Sequence, residues 1–196
     1  MYELILKNIS RFIKLTAEEK NYFISLLKVK KLRKKQYLVQ EGDVARFEHF
    51  VNKGCLRAYS IDEKGQEHIV QFAIEDWWIS DMYSFLTQTP ARLSIDALED
   101  SELICIDSPS IEDLFIKVPK FERFFRLLIK NGFIATQRRI IESMSLPADA
   151  RYCKFIENYP LMEQRLPLKQ IASYLGITPE SLSRIRSQYI KKGKSV

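Results

Sequence analysis

A chain of 196 residues, 46% hydrophobic and 29% charged, is long enough for one sizeable domain plus a small one. Six glycines and no apolar run of membrane-spanning length exclude collagen-like, low-complexity and helical membrane classes. The formal net charge of +6 is uneven, with nine Lys/Arg against four Asp/Glu from residue 147 onward, the footprint of a nucleic-acid partner.

The opening Met1-Tyr2-Glu3-Leu4 lacks a basic-then-apolar signal peptide. Cys55, Cys105 and Cys153 are far apart and odd in number, so neither a disulfide framework nor a C-x-x-C metal site is expected. A reducing cytoplasm is the expected setting, with no membrane association, no metal and no cofactor.

The first predicted helix opens at Thr16-Ala17-Glu18-Glu19, a capping-box pattern, and turns Phe23, Leu26 and Leu27 inward. From Lys30 to about Ile106 the hydrophobic period shortens towards two. Strands are predicted at 37–39, 48–51, 55–59, 68–72, 94–97 and 103–106, separated by turn signals such as Glu41-Gly42-Asp43 and Asn52-Lys53-Gly54. Regular short strands with such turns suggest a small antiparallel barrel or roll. The basic run Lys28 to Lys35 reads as a solvated strand start.

From Pro119 to about Met144 a long helix is predicted, with Phe121, Phe124, Phe125, Leu127, Leu128, Ile129, Phe133, Ile134, Ala135, Ile140 and Ile141 covering much of its circumference. A helix that apolar needs cover on more than one side. The expectation is that one face packs on the roll and another on a twin helix, with Gly132 permitting close approach. The domain boundaries that follow are 1–118 for the roll, 119–146 for the dimerisation helix and 147–196 for the remainder.

The remainder carries the most specific local pattern. Ile171 and Leu175 share one helix face, Ala172 allows a close crossing, and Gly176 sits where a left-handed C-terminal cap is wanted. Ile177 is an apolar turn residue. Thr178 is a good N-cap, Pro179 suits the first helical position and Glu180 favours the positive helix end. Leu182, Ile185 and Tyr189 form an inward stripe. This is a helix-turn-helix, whose second helix enters the DNA major groove. The candidate DNA-contacting residues are Thr178, Glu180, Ser181, Ser183, Arg184, Ser187 and Lys191.

A roll, a long helix and a helix-turn-helix in that order resemble the Crp/Fnr superfamily of bacterial transcription regulators. Gln40-Glu41-Gly42-Asp43 and Phe50 to Tyr59 look like the family's strand-and-turn signatures, and Glu180-Ser181-Leu182-Ser183-Arg184 is similar to its recognition-helix core. The resemblance implies an α+β fold: a cyclic-nucleotide-binding-like antiparallel β-roll with flanking helices, a dimerisation helix and a C-terminal helix-turn-helix. It implies a homodimer on palindromic double-stranded DNA, with half-sites about 34 Å apart, and RNA polymerase among the partners. Glu180 would accept from cytosine and Arg184 would donate to guanine. Pro179 stands where relatives often have a further contact, and the chain leaves little length after the second helix for a wing.

The resemblance also marks an effector pocket at Ser80, Asp81, Met82, Arg92 and Thr136. Cyclic-nucleotide binders carry Gly-Glu and then Arg-Ser or Arg-Thr there. Here Ser80 and Asp81 replace the first pair, and Arg92 is followed by Leu93 and lies one residue out of register. The expected function is therefore a DNA-binding regulator whose effector is unknown or absent. A cyclic-nucleotide-responsive regulator and a roll module that binds a protein partner are the alternatives. Trp77, Trp78, Tyr83 and Phe85 could line a different pocket or simply be core. His49 and His68 fall in strand patterns unsuited to haem. Asp76, Asp81, Asp96 and Glu99 have no nucleophile or phosphate loop beside them, so catalysis is not expected.

Overall fold

The computed structural model describes residues 1–190 and the backbone of Lys191. It divides into two compact units, one of residues 1–60 and 70–131, the other of residues 61–69 and the chain from 132 onward.

The first unit opens with helix α1 (Glu3–Ser10), which buries Ile5 and Ile9 four residues apart. Helix α2 (Ala17–Ser25) begins at the expected capping box: Thr16 Oγ1 accepts from the Glu19 amide at 3.2 Å, and Glu19 Oε2 accepts from the Thr16 amide at 2.7 Å. Eight strands follow: β1 (Lys28–Leu32), β2 (Tyr37–Val39), β3 (Phe47–Lys53), β4 (Leu56–Ile61), β5 (Glu67–Ala73), β6 (Trp78–Ile79), β7 (Ser94–Ala97) and β8 (Ser101–Asp107). They form two four-stranded sheets, ordered β1-β8-β3-β6 and β2-β7-β4-β5. Every expected strand is present. The lysine run becomes β1, an edge strand whose exposed lysines discourage pairing with another chain.

Two helices complete this unit with the start of a third. Helix α3 (Met82–Thr87) interrupts the strands, and α4 (Ser108–Lys117) is capped by Asp107. The long helix α5 (Lys120–Ser145) starts here and buries Phe121, Phe124 and Phe125. Trp78 meets Phe50 at 5.4 Å and both Phe124 and Phe125 at 6.0 Å, so the indole is core rather than pocket lining. At the β3–β4 turn, Gly54 has φ +103°, and an added Cβ would stand 2.2 Å from Ser101 Oγ. Only glycine fits there.

The second unit holds the second half of α5, α6 (Ala148–Asn158), α7 (Met162–Arg165), α8 (Leu168–Leu175) and α9 (Pro179–Lys191), with the tip of the β4–β5 hairpin. Its apolar centre is Tyr152, Phe155, Ile156, Met162, Leu166, Ile171, Ala172, Leu175 and Leu182. Glu163 accepts from the Tyr152 hydroxyl and pairs with Arg186 at 3.0 Å, tying α9 to α6 and α7.

Two buried ionisable groups lie side by side on β3. Burial raises Glu48 to about 7, its carboxyl accepting only one hydrogen bond, from Ser80 Oγ at 2.9 Å. Burial and the nearby Lys30 depress His49 to about 3. An acid with a raised folded pKa keeps its proton after the unfolded chain has lost it. Its stabilising effect is complete below about pH 4.5 and is lost as pH rises towards 7. His49 pulls the other way, costing stability as pH falls below 6.5. Only a difference measurement separates them. Glu48→Gln is expected to gain on the parent between pH 5 and 8, by on the order of 3 kcal/mol at the upper end. Thermal unfolding of both chains across that range checks this; identical pH slopes would show that another group titrates.

Candidate nucleic-acid interface and effector face

Helix α8 ends where its sequence requires it to end. Gly176 adopts the left-handed conformation (φ 65°, ψ 40°), and its amide and that of Ile177 bond back to Ser173 and Ala172 carbonyls. Thr178 then caps α9, its Oγ1 accepting from the Ser181 amide at 3.2 Å. Leu182 is fully buried, Ile185 and Tyr189 are half-buried, and the Tyr189 ring meets Tyr152 edge-on at 5.9 Å. The inward stripe is thus the one expected.

The opposite face is free for a ligand. Glu180, Ser183, Arg184 and Ser187 are exposed in one row along α9. Hydrogen bonds from its own amide and from Thr178 hold the Glu180 carboxyl below the usual carboxylate range, so it presents an acceptor. Arg184 Nη2 lies 3.5 Å from Ser181 Oγ and has no acidic side chain bonded to it among the described residues. Ser187 donates to the Ser183 carbonyl at 3.0 Å. The side chain of Lys191, and Lys192 and Lys194 with it, lie outside the described residues. A fixed acceptor and a forked donor four residues apart are the groups that distinguish base pairs in a major groove.

The residues marked as an effector pocket behave differently. Asp81 is buried and caps α3, its Oδ1 accepting from the Ser84 amide at 2.9 Å. Its Oδ2 accepts from the Arg92 and Leu93 amides at 2.8 and 3.0 Å. The carboxylate therefore staples the 88–93 loop to α3. Ser80 is committed to Glu48, and Met82 packs against the roll's core. Arg92 is exposed, its guanidinium 4.3 Å above the Tyr83 ring. Thr136 is exposed on α5, in the part belonging to the second unit.

The other carboxylates do not converge into a reactive cluster. Asp96 forms a buried, two-pronged pair with Arg57 at 2.8 and 2.9 Å. Asp76 pairs with Arg11 at 2.6 Å and accepts from Asn8. No group of three or more potential metal ligands occurs among the described residues. Sequence reasoning missed Arg57, whose partner is 39 residues away, and Ser173, which bonds Glu67 and Ile69 more than 100 positions earlier. No local periodicity signals such pairs.

An antiparallel roll, a long helix and a capped helix pair with a polar outer face are the parts expected of a roll-type DNA-binding regulator. The family model for the cyclic nucleotide-binding domain matches residues 29–117. The chain is 26% identical over 193 residues to the anaerobic regulatory protein of Haemophilus influenzae, spanning 91% of this chain and 74% of that one. Its fold is similar to FixK2 from Bradyrhizobium japonicum (TM-score 0.74, 20% identity, 85% and 86% of the two chains). It is similar also to a putative Crp/Fnr-family transcriptional regulator from Eubacterium rectale (TM-score 0.68, 18% identity, 91% and 85%). The chain is thus similar over most of its length to transcription regulators of the Crp/Fnr kind, and these likenesses support a DNA-binding regulator.

Removing the Asp81 carboxylate would leave three backbone donors without their acceptor. Asp81→Ala is expected to cost about 2–4 kcal/mol, read as a lower midpoint in urea unfolding. A loss below 0.5 kcal/mol would mean that water replaces the carboxylate.

Proposed function

We propose that this regulator works in the cytoplasm as a homodimer that reads a palindromic duplex with α9, and that it does so without a cyclic nucleotide. The observation that carries the reading is the row Glu180, Ser183, Arg184 and Ser187, exposed on a helix whose other face is buried and whose start is fixed by Thr178. In this reading Glu180 accepts from a cytosine amino group and Arg184 donates to a guanine, while Thr178, Ser181, Ser183, Ser187 and Lys191 supply phosphate or secondary contacts.

The partner that covers α5 is argued from its pattern. Ile129, Phe133, Ile140 and Met144 recur at spacings of four, seven and four, with Ile134 and Ile141 beside them, and all are exposed (Phe133 67%, Met144 83%). That is a heptad stripe, which an identical helix covers by knobs-into-holes packing. Two copies also multiply the few base contacts that a single short helix offers. No described helix is long and apolar enough to cross a membrane.

The absence of a cyclic-nucleotide role is argued from Asp81. The acceptor that would take a ribose hydroxyl is already filled by three backbone amides, and Arg92 turns to Tyr83. Calorimetry with cyclic AMP and cyclic GMP should therefore show no binding at micromolar concentration.

Selection from a random duplex library is expected to return a palindrome. On it, Arg184→Ala should lose about 1–3 kcal/mol and relax preference at one base pair per half-site. An equal loss on every sequence would make Arg184 a phosphate contact instead. Phe133→Glu combined with Ile140→Glu should give a monomer in sedimentation and weaken operator binding on the order of 100-fold. A doubly substituted chain that remains dimeric would move the interface off α5.

A further inference from the structure

The exposed stripe of α5 carries a polar residue in the middle of its apolar run. Phe133, Gln137, Ile140 and Met144 follow one another at spacings of four, three and four, the alternation of the two inward positions of a heptad. At 3.6 residues per turn these four side chains lie within about 60° of arc. Ile134 and Ile141 border them on one side, Ile129 and Thr136 on the other, so Gln137 sits inside the stripe and not at its edge.

Gln137 is exposed, and its side chain makes no hydrogen bond among the described residues. The opposite side of the helix is occupied by the unit's own contacts. Arg139 lies 4.7 Å from the Tyr174 ring, and Glu142 pairs with Lys154 at 3.0 Å. Gln137 therefore points away from the unit that holds it. When another helix covers the stripe, water leaves the amide, and an amide without partners is costly to bury.

An identical chain supplies the matching group. A glutamine side chain carries an acceptor oxygen and an NH₂ donor, so two of them face to face can each donate and accept. A slip of one heptad sets Gln137 against Lys130 or Met144 of the second copy. Lysine offers donors only and the methionine thioether is a weak acceptor, so neither answers both halves of the amide. Phe133, Ile140 and Met144 would tolerate such a slip, because apolar contacts are not directional. A third or fourth helix would enclose the amide more completely than one partner does, and a polar side chain at an inward position is known to select register and chain number.

We propose that Gln137 fixes the alignment of two copies along α5 and holds the assembly at two chains, its side chain paired with Gln137 of the second copy. This rests on the reading of α5 as the dimer helix and adds the residue that chooses the register. Slipping by one heptad would shift one copy by about 10 Å along the seam. A palindrome with fixed half-site spacing does not accommodate such a shift.

The test is sedimentation equilibrium of the full chain over a range of concentrations, alongside Gln137→Leu and Gln137→Asn. The parent and Gln137→Asn are expected to form dimers only. Gln137→Leu should dissociate at a concentration about tenfold lower and form trimers or tetramers beside the dimer. Under mild oxidation, Gln137→Cys should link two copies at least tenfold faster than Arg138→Cys, which lies one residue round the helix, above the parent's background from Cys153. Gln137 is exposed in the single chain, so these substitutions remove no folding contact. A monomeric parent would overturn the dimer reading and this proposal together. A dimeric parent whose Gln137→Leu variant keeps the same chain number and dissociation concentration, or equal linking by the two cysteine variants, would overturn the role of Gln137 alone.

Discussion

The long helix is fixed by a single aromatic contact set at its start. Phe121, Phe124 and Phe125 fall within five residues, and all three are buried against Trp78, Phe23, Phe12 and Phe115. Aromatic edge-to-face packing of this kind adds to the large area each ring buries. It anchors the first turns of α5 in the roll and leaves the helix to propagate beyond them. The heptad stripe from Ile129 to Met144 is presented only because the preceding turns are held.

Polar groups divide between the two units in a way that matters for function. In the roll the buried carboxylates Asp81 and Asp96 are satisfied internally, whereas the buried Glu48 accepts a single hydrogen bond. Asp81 takes three amides, and Arg57 and Asp96 hold one another with the Tyr59 ring 4.2 Å from the guanidinium carbon. Such pairs cost desolvation and are tolerated when every lone pair is used. The helical unit instead leaves an acceptor and a donor, Glu180 and Arg184, exposed along the outer face of α9. An interior that answers its own charges has little left to offer a ligand.

Elements whose signals are local can be read from residue order alone. The capping box at Thr16, the Gly176 cap, the Thr178 cap, the strand alternation and the aromatic run of α5 each act within a few residues, so spacing and residue type reveal them. The exposed face of α9 is legible for the same reason, because a 3.6-residue period separates Leu182 from Arg184 without any tertiary information. Features that depend on distant partners emerge from the folded chain. It turned Asp81 from a candidate ribose acceptor into a loop staple through the Arg92 and Leu93 amides. It joined the hairpin tip to the helical unit through Ser173, and it gathered Arg138, Arg139, Arg151 and Lys154 around one cavity. Side chains that meet across a hundred residues leave no periodic trace, because the chain folds them together through contacts made elsewhere.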